Sequence, residues 1–185
     1  MTSVKLNLEN IKLSDHSKAI FDKTEKALGF VPNMYKTMAG NTSLLDSYTY
    51  AYDSFRKHSG FTPVEQEVVF LSVSYVNNCT YCMAAHSFVG DNMTNVPTEV
   101  TDAIRAGEAI SDNKLNALSN FTKIMVETRG LPSEDDLAAF FDAGYTETHV
   151  LGIITGIAVK TLSNYSNHNT HPEVDEVFAG RRWSK

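Results

Sequence analysis

The chain has 185 residues, 42% hydrophobic and 21% charged, with a net charge of −6. That composition suits one globular domain with a core burying about 70% of the unfolded surface, and a negative balance without a basic patch argues against nucleic acid. No apolar run approaches the roughly 18 residues a membrane span needs, and the opening MTSVKLNLENIKLSDHSK offers no signal peptide.

Met1 to Leu13 reads as extended and partly loose. Asp15 to Leu28 reads as a helix, with Ile20, Phe21 and Leu28 facing inward and Gly29 as its stop. Pro32 restarts a short helix through Met38. Asn41 or Thr42 opens a longer one to His58, closed near Gly60. Its Tyr48, Tyr52 and Phe55 recur at helical spacing. Such a stripe is first a packing face, with an aromatic pocket or a subunit contact as the alternatives.

The stretch Thr62 to Val89 carries the chemistry. Thr62, Pro63 and Glu65 make a helix start with a capping box. On that helix Glu67 falls inside the apolar stripe, while Glu65 points away and needs only a capping role. A carboxylate on an apolar face is costly unless paired or protonated, so its pKa is expected to rise. Asn77 or Asn78 is expected to cap a second helix. There Cys79, Cys82 and His86 share one face within about 60°. Met83 and Val89 border that face. Cysteines three apart at a helix start can close a disulfide, and the helix N-terminus favours a thiolate. His86 stands one turn beyond Cys82, in reach of a proton exchange. A thiol of pKa about 8.5 is roughly 3% ionised at pH 7, so full ionisation gains about thirtyfold. Cleaving a peroxide also needs a proton on the leaving oxygen, worth about 10²–10⁴. Glu67 and His86 are the candidates for that work.

After the motif, Gly90 to Asn92 reads as a loop and Pro97 starts a helix bearing Val100 and Ile104. Asp112 or Asn113 begins another through Thr128. Pro132 to Glu134 opens one to Asp142. A long helix runs from Thr146 to about Asn167, followed by Pro172, a short helix over Glu173 to Phe178, and a basic end. No period-two strand is present, so the fold is expected to be all-α, a compact helical bundle in a single domain over 1–185. The segment from Gly144 (144–170) also echoes the redox segment from Gly60 (60–90). Thr146 matches Thr62 and Tyr165 matches Tyr81, whereas Ser163 and Ser166 fall on Cys79 and Cys82 and Leu151 falls on Glu67. This suggests two related helical units, the second a degenerate copy without the chemistry that serves packing or a subunit interface.

A Cys-x-x-Cys alone leaves a redox pair, a zinc half-site or a thioredoxin motif open. Zinc needs four ligands, here Cys79, Cys82 and His86 with Glu67 or the distant His168 and His171, and no second Cys-x-x-Cys exists. A thioredoxin fold needs strands. His16, His58 and His149 read as surface or capping residues.

Glu67, then Cys79, Cys82 and His86 at this spacing, with Asn78 and Tyr81 around the pair, resembles the alkyl hydroperoxidase D-like, peroxidase-related branch of the carboxymuconolactone decarboxylase superfamily. Gly29 to Met34 (GFVPNM) resembles the same subgroup. The resemblance implies an all-helical fold, a trimer or hexamer, and a two-cysteine peroxidase cycle. Cys82 would be peroxidatic, Cys79 resolving, and Glu67 and His86 a proton relay. Tyr81 and Met83 would border the substrate pocket. The best-known peroxidases of the family carry a histidine where Tyr81 stands, so a group titrating near neutral pH is lost. The expected activity is thiol-dependent hydroperoxide reduction, with a dithiol reductant of protein or lipoyl type and no cofactor or metal. General thiol–disulfide exchange, or a non-enzymatic redox sensor, is the alternative. Two cysteines in a redox motif, without a leader, place the expected site of action in the cytoplasm.

Overall fold

The computed structural model describes residues 4–8, 10 and 12–185. Part of the segment Met1 to Leu13 therefore lies outside the described residues. Within it, the Leu6 amide donates to the Asn169 carbonyl at 2.8 Å. Among the described residues all regular structure is helical. In chain order come α1 (Asp15–Leu28), α2 (Asn33–Met38), α3 (Thr42–His58), α4 (Pro63–Val76), α5 (Thr80–Met93), α6 (Thr98–Ala106), α7 (Asn113–Glu127), α8 (Glu134–Asp142) and α9 (Glu147–Thr170). A 3-10 helix, Glu176–Arg181, closes the chain. None of the described helices is long and apolar enough to cross a membrane.

The caps are where the side chains demand them. Ser14 accepts from the Ser17 amide, Asn41 from Leu44 and Asp112 from Leu115. Gly29 ends α1 in the left-handed region. The inward reading of Leu28 is corrected: the last turn of α1 leaves it 49% exposed. Thr62 and Glu65 form the expected capping box. Glu65 does more than cap, however. It is buried, and its carboxylate also accepts from Tyr145 Oη at 3.1 Å and pairs with Lys114 Nζ at 3.3 Å.

Helix α4 is the centre of the bundle. From Glu65 to Ser74 every residue is buried, so the helix is covered all round, by α5, α6, α7 and α9. Each fully buried Val, Leu or Phe there contributes about 1.5–3 kcal/mol. Two glycines let α9 approach closely. A Cβ on Gly156 would stand 2.7 Å from Val69 Cγ1, and one on Gly152 would stand 2.7 Å from the Ser59 carbonyl. Over the span where α4 and α5 are two helices, the segment from Gly144 forms one continuous helix.

The join between α4 and α5 differs from expectation. Asn77 closes α4, Asn78 takes a left-handed φ of 54°, and Cys79 itself is the extended N-cap of α5. Asparagine tolerates that conformation better than most residues. The turn lets the Cys79 amide donate to the Ser74 carbonyl at 2.9 Å. It leaves one cysteine at the mouth of α5 and the other one turn inside.

Candidate active site

Two pieces of local structure meet behind the cysteines. Glu67 comes from the middle of α4, where it is fully buried. Arg56, in the last turn of α3, reaches over the Tyr52 and Phe70 rings at 4.8 and 4.9 Å. Its guanidinium donates to Glu67 Oε1, to Tyr52 Oη at 2.8 Å and to Gln66 Oε1 at 3.1 Å. The other Glu67 oxygen lies 2.8 Å from His86 Nδ1, and His86 Nε2 lies 2.9 Å from Lys160 Nζ. Lys160 comes from α9, is fully buried, and stands 5.3 Å over the Phe70 ring. A carboxylate only accepts, so Nδ1–H donates to it and Nε2 receives the Lys160 ammonium. The result is a buried chain of Arg56, Glu67, His86 and Lys160.

This chain reverses the expected shift of Glu67. Burial alone would raise its carboxyl. The His86 ring and the Arg56 guanidinium outweigh burial and hold it below its ordinary 4.5. Burial, followed by the Lys160 charge, pushes His86 below its ordinary 6.5 against the pull of Glu67. His86 is therefore neutral at pH 7. No hydrogen bond joins His86 to Cys82, since both ring nitrogens bond elsewhere, although the two side chains line the same cavity.

The sulfurs are free thiols, both buried. Asn167 of α9 donates its amide to both, at 3.5 Å to Cys79 and 3.4 Å to Cys82. Cys82 Sγ also lies 3.7 Å from Ser163 Oγ. The hydrogen bond from Cys82, with the Asn167 amide and the Lys160 charge behind it, brings Cys79 down to about 6 despite burial. Burial, and the hydrogen bond and charge of Cys79, push Cys82 well up. The opposite directions favour the thiolate on Cys79 over Cys82, and the two sulfurs titrate as a unit. Near the thiolate, the buried charges balance: Arg56 and Lys160 against Glu67 and one sulfur.

Access separates the two sulfurs. Cys82, His86 and Lys160 line an apolar cavity of about 370 Å³, walled by Phe30, Tyr35, Tyr48, Tyr52, Phe88 and Phe178. Tyr48 and Tyr52 of the α3 stripe thus face this cavity, while Phe55 is in the core. Cys79 opens instead on a second cavity of about 290 Å³ shared with Thr80, Asn167 and His168. Tyr81 borders both cavities. Its hydroxyl donates to Asp175 and receives the Met34 amide at 3.4 Å, which ties α5 to α2 and to the C-terminal segment. Met83 is buried in the core and does not line the apolar cavity.

Glu67, Cys79, Cys82 and His86 are brought together as a group. Sequence reasoning missed Arg56, Lys160, Ser163, Asn167 and Asp175. Lys160 had a signal of the same kind as Glu67, a charge inside the apolar run Ile157 to Leu162. Helix α9, read as a copy without the chemistry, supplies the cation and the amide that face the sulfurs. Among the described residues no group of three or more His, Cys, Asp and Glu is placed to hold a metal ion.

The architecture defines a class, the all-helical fold of the alkylhydroperoxidase AhpD core. Particular solved structures show it over nearly the whole chain. A peroxidase-related protein of that core from Ralstonia eutropha JMP134, uncharacterized in function, matches with a TM-score of 0.82. The identity is 21%, covering 96% of this chain and 95% of that one. An uncharacterized peroxidase-related protein from Silicibacter sp. TM1040 matches at 0.79 and 21% identity, over 97% and 95%. The debrominase Bmp8, as a cysteine-to-alanine variant with 2,3,4-tribromopyrrole, matches at 0.72 and 14% identity, over 98% and 95%. No family model and no curated protein matches the sequence.

Proposed function

We propose that the protein is a thiol-dependent hydroperoxide reductase of the alkyl hydroperoxidase D-like branch. The observation that carries this reading is Cys82 on an apolar cavity with a buried cation, Lys160, and a neutral His86 beside it. The peroxidase-related proteins of the same fold support it.

The hydroperoxide enters the apolar cavity and meets Cys82. Cys82 gives its proton to the Cys79 thiolate and attacks the terminal peroxide oxygen. The O–O bond breaks, Cys82 becomes the sulfenic acid, and the alkoxide takes a proton from Lys160, relayed where needed by His86. Cys79 attacks Cys82 Sγ and passes the proton it accepted to the departing hydroxide, which leaves as water. Overall the two cysteines lose two electrons and the peroxide gains them. The cavity loses one thiolate and one ammonium charge together, so its balance is kept. A lowered Cys79 suits a resolving cysteine, which must give up its proton readily as it attacks the sulfenic acid.

Recycling by a dithiol, action in the cytoplasm and assembly as a homo-oligomer, a trimer or hexamer, belong to the same proposal. The exposed Leu151, Ile154 and Tyr165 lie along one face of α9 and support an assembly surface. Light scattering tests it, and a monomer at micromolar concentration would remove it.

The function is tested with reduced protein and one equivalent of an organic hydroperoxide. Two thiols per chain are lost, and Cys82→Ser abolishes the loss. No loss in folded protein, with rapid exchange against disulfides, would move the assignment to a thiol–disulfide oxidoreductase. A change of assembly on oxidation, without turnover, would move it to a sensor.

A further inference from the structure

The two cavities meet the cysteine pair at different sulfurs, and the peroxide chemistry occupies only one of them. The second, of about 290 Å³, has Cys79 in its wall. Two of its lining residues, Asn167 and His168, each carry a buried side-chain atom, Oδ1 and Nε2, without a hydrogen-bond partner. Asn167 is only 5% exposed and is already held by its amide to both sulfurs. Its unpartnered oxygen is therefore an acceptor on an amide that the two sulfurs hold in place. Buried polar atoms are normally satisfied, and two orphans on one cavity beside a reactive sulfur point to a ligand that completes them.

We infer that this cavity is the reductant's entrance, and that it takes a cysteinyl thiol whose own amide N–H bonds Asn167 Oδ1 while a second polar group meets His168 Nε2. The inference rests on the redox role of the pair proposed above. A lipoyl-type dithiol fits less well, because its two thiols sit on an open hydrocarbon chain with no donor beside them. Such a reductant matches the aromatic cavity at Cys82 instead.

The exchange is balanced. The incoming thiolate attacks Cys79 Sγ, the Cys79–Cys82 bond breaks, and its electron pair goes to Cys82. There Lys160, which regains its proton from the incoming thiol, holds the new thiolate across the cavity it lines with Cys82. A second cysteinyl thiolate then attacks the reductant's sulfur in the mixed disulfide and frees Cys79. One disulfide and two thiols become one dithiol and one disulfide. The thiolate resident on Cys79 in the reduced protein agrees with this direction, since the sulfur that attacks disulfides is the one attacked in reverse.

The test starts from protein oxidised with diamide, so that it does not depend on peroxide. Recovery of thiols is followed with glutathione and, separately, with dihydrolipoamide. Oxidation of reduced protein by an organic hydroperoxide is measured alongside. The expected result is that His168→Leu lowers the ratio of the glutathione rate to the hydroperoxide rate about tenfold, the loss of one hydrogen bond. Ala85→Phe, which narrows the aromatic cavity, raises the same ratio. Cys82→Ser treated with glutathione disulfide carries glutathione on Cys79. The inference is overturned if dihydrolipoamide reduces the protein and glutathione does not. It is also overturned if Ala85→Phe is the variant that slows glutathione. Should the hydroperoxide step itself fail, the glutathione rate of His168→Leu against the unaltered protein still decides the entrance. A twofold change or less would then overturn it.

Discussion

Replacing Lys160 by methionine isolates the proton that the leaving oxygen needs. The side chain is fully buried, and its ammonium ends 2.9 Å from His86 Nε2. Methionine fills a similar volume, and replacing a buried charge by an apolar side chain is often neutral or stabilising by about 1–4 kcal/mol. Against that stands an unpaired His86 Nε2, costing about 1–3 kcal/mol. The two nearly cancel, so the variant should fold with little change in stability. The rate should not survive. Losing the general acid costs about 10²–10⁴. Losing the cation also weakens the hold on the thiolate, though the hydrogen bond from Cys82 and the Asn167 amide remain. That loss is at most the thirtyfold or so separating a full thiolate from an ordinary thiol. Single-turnover thiol loss with an organic hydroperoxide at pH 7 should therefore slow by about 10³. Lys160→Arg separates charge from acid, because a guanidinium keeps its proton. It should preserve the Cys79 titration and still lose the rate. A Lys160→Met rate within about threefold of the original, well short of a general-acid loss, would refute this account of the cation.

Other perturbations follow from the same geometry. Glu67→Gln strands the Arg56 guanidinium, and should cost about 3–5 kcal/mol in denaturant unfolding together with a loss of rate; unchanged stability would mean that the pair is not coupled. Alkylation of Cys79 should fall away as pH drops through about 6, whereas an ordinary thiol falls near pH 8.5; a midpoint near 8.5 would remove the resident thiolate. His86 and Glu67 both have folded pKa values below their ordinary 6.5 and 4.5. The unfolded chain thus binds more protons below each ordinary value, and stability should decline as pH falls below 6.5 and again below 4.5. A melting temperature flat from pH 7 to 4 would contradict this. Gly156→Ala forces a Cβ to 2.7 Å from Val69 Cγ1 and 3.1 Å from the Phe55 ring, and should cost about 1–3 kcal/mol by urea unfolding.

Much of the fold is local and was legible as such. Thr62 with Glu65, Asn41, Asp112 and Gly29 announce helix ends because their side chains or conformations satisfy backbone groups within a turn. The burial of Glu67 followed from the helical period alone. Its protonation did not, because Arg56 is on another helix and periodicity carries no information about what lies across a groove. The turn before α5 is hidden from the sequence for a similar reason. Asn78 capping a helix and Asn78 in a left-handed turn look alike in sequence, and contacts with α4 decide between them. Lys160 was visible as a charge in an apolar run. The echo of the redox segment compares α9 only at the positions of Cys79, Cys82 and Glu67, and Lys160 stands at none of them. Asp175, which receives Tyr81, lies 94 residues away in a short C-terminal turn, beyond the reach of any pattern.

The assignment of roles to the two sulfurs is tested most directly by trapping the first intermediate. Cys79→Ser protein, reduced and then given one equivalent of an organic hydroperoxide with dimedone present, should carry a dimedone adduct on Cys82, formed more slowly than the original loses its thiols because the Cys79 base is gone. Cys82→Ser should carry none. An adduct on Cys79 in the Cys82→Ser protein, formed as fast as the original loses its thiols, would make the resident thiolate the peroxide's target and contradict the account.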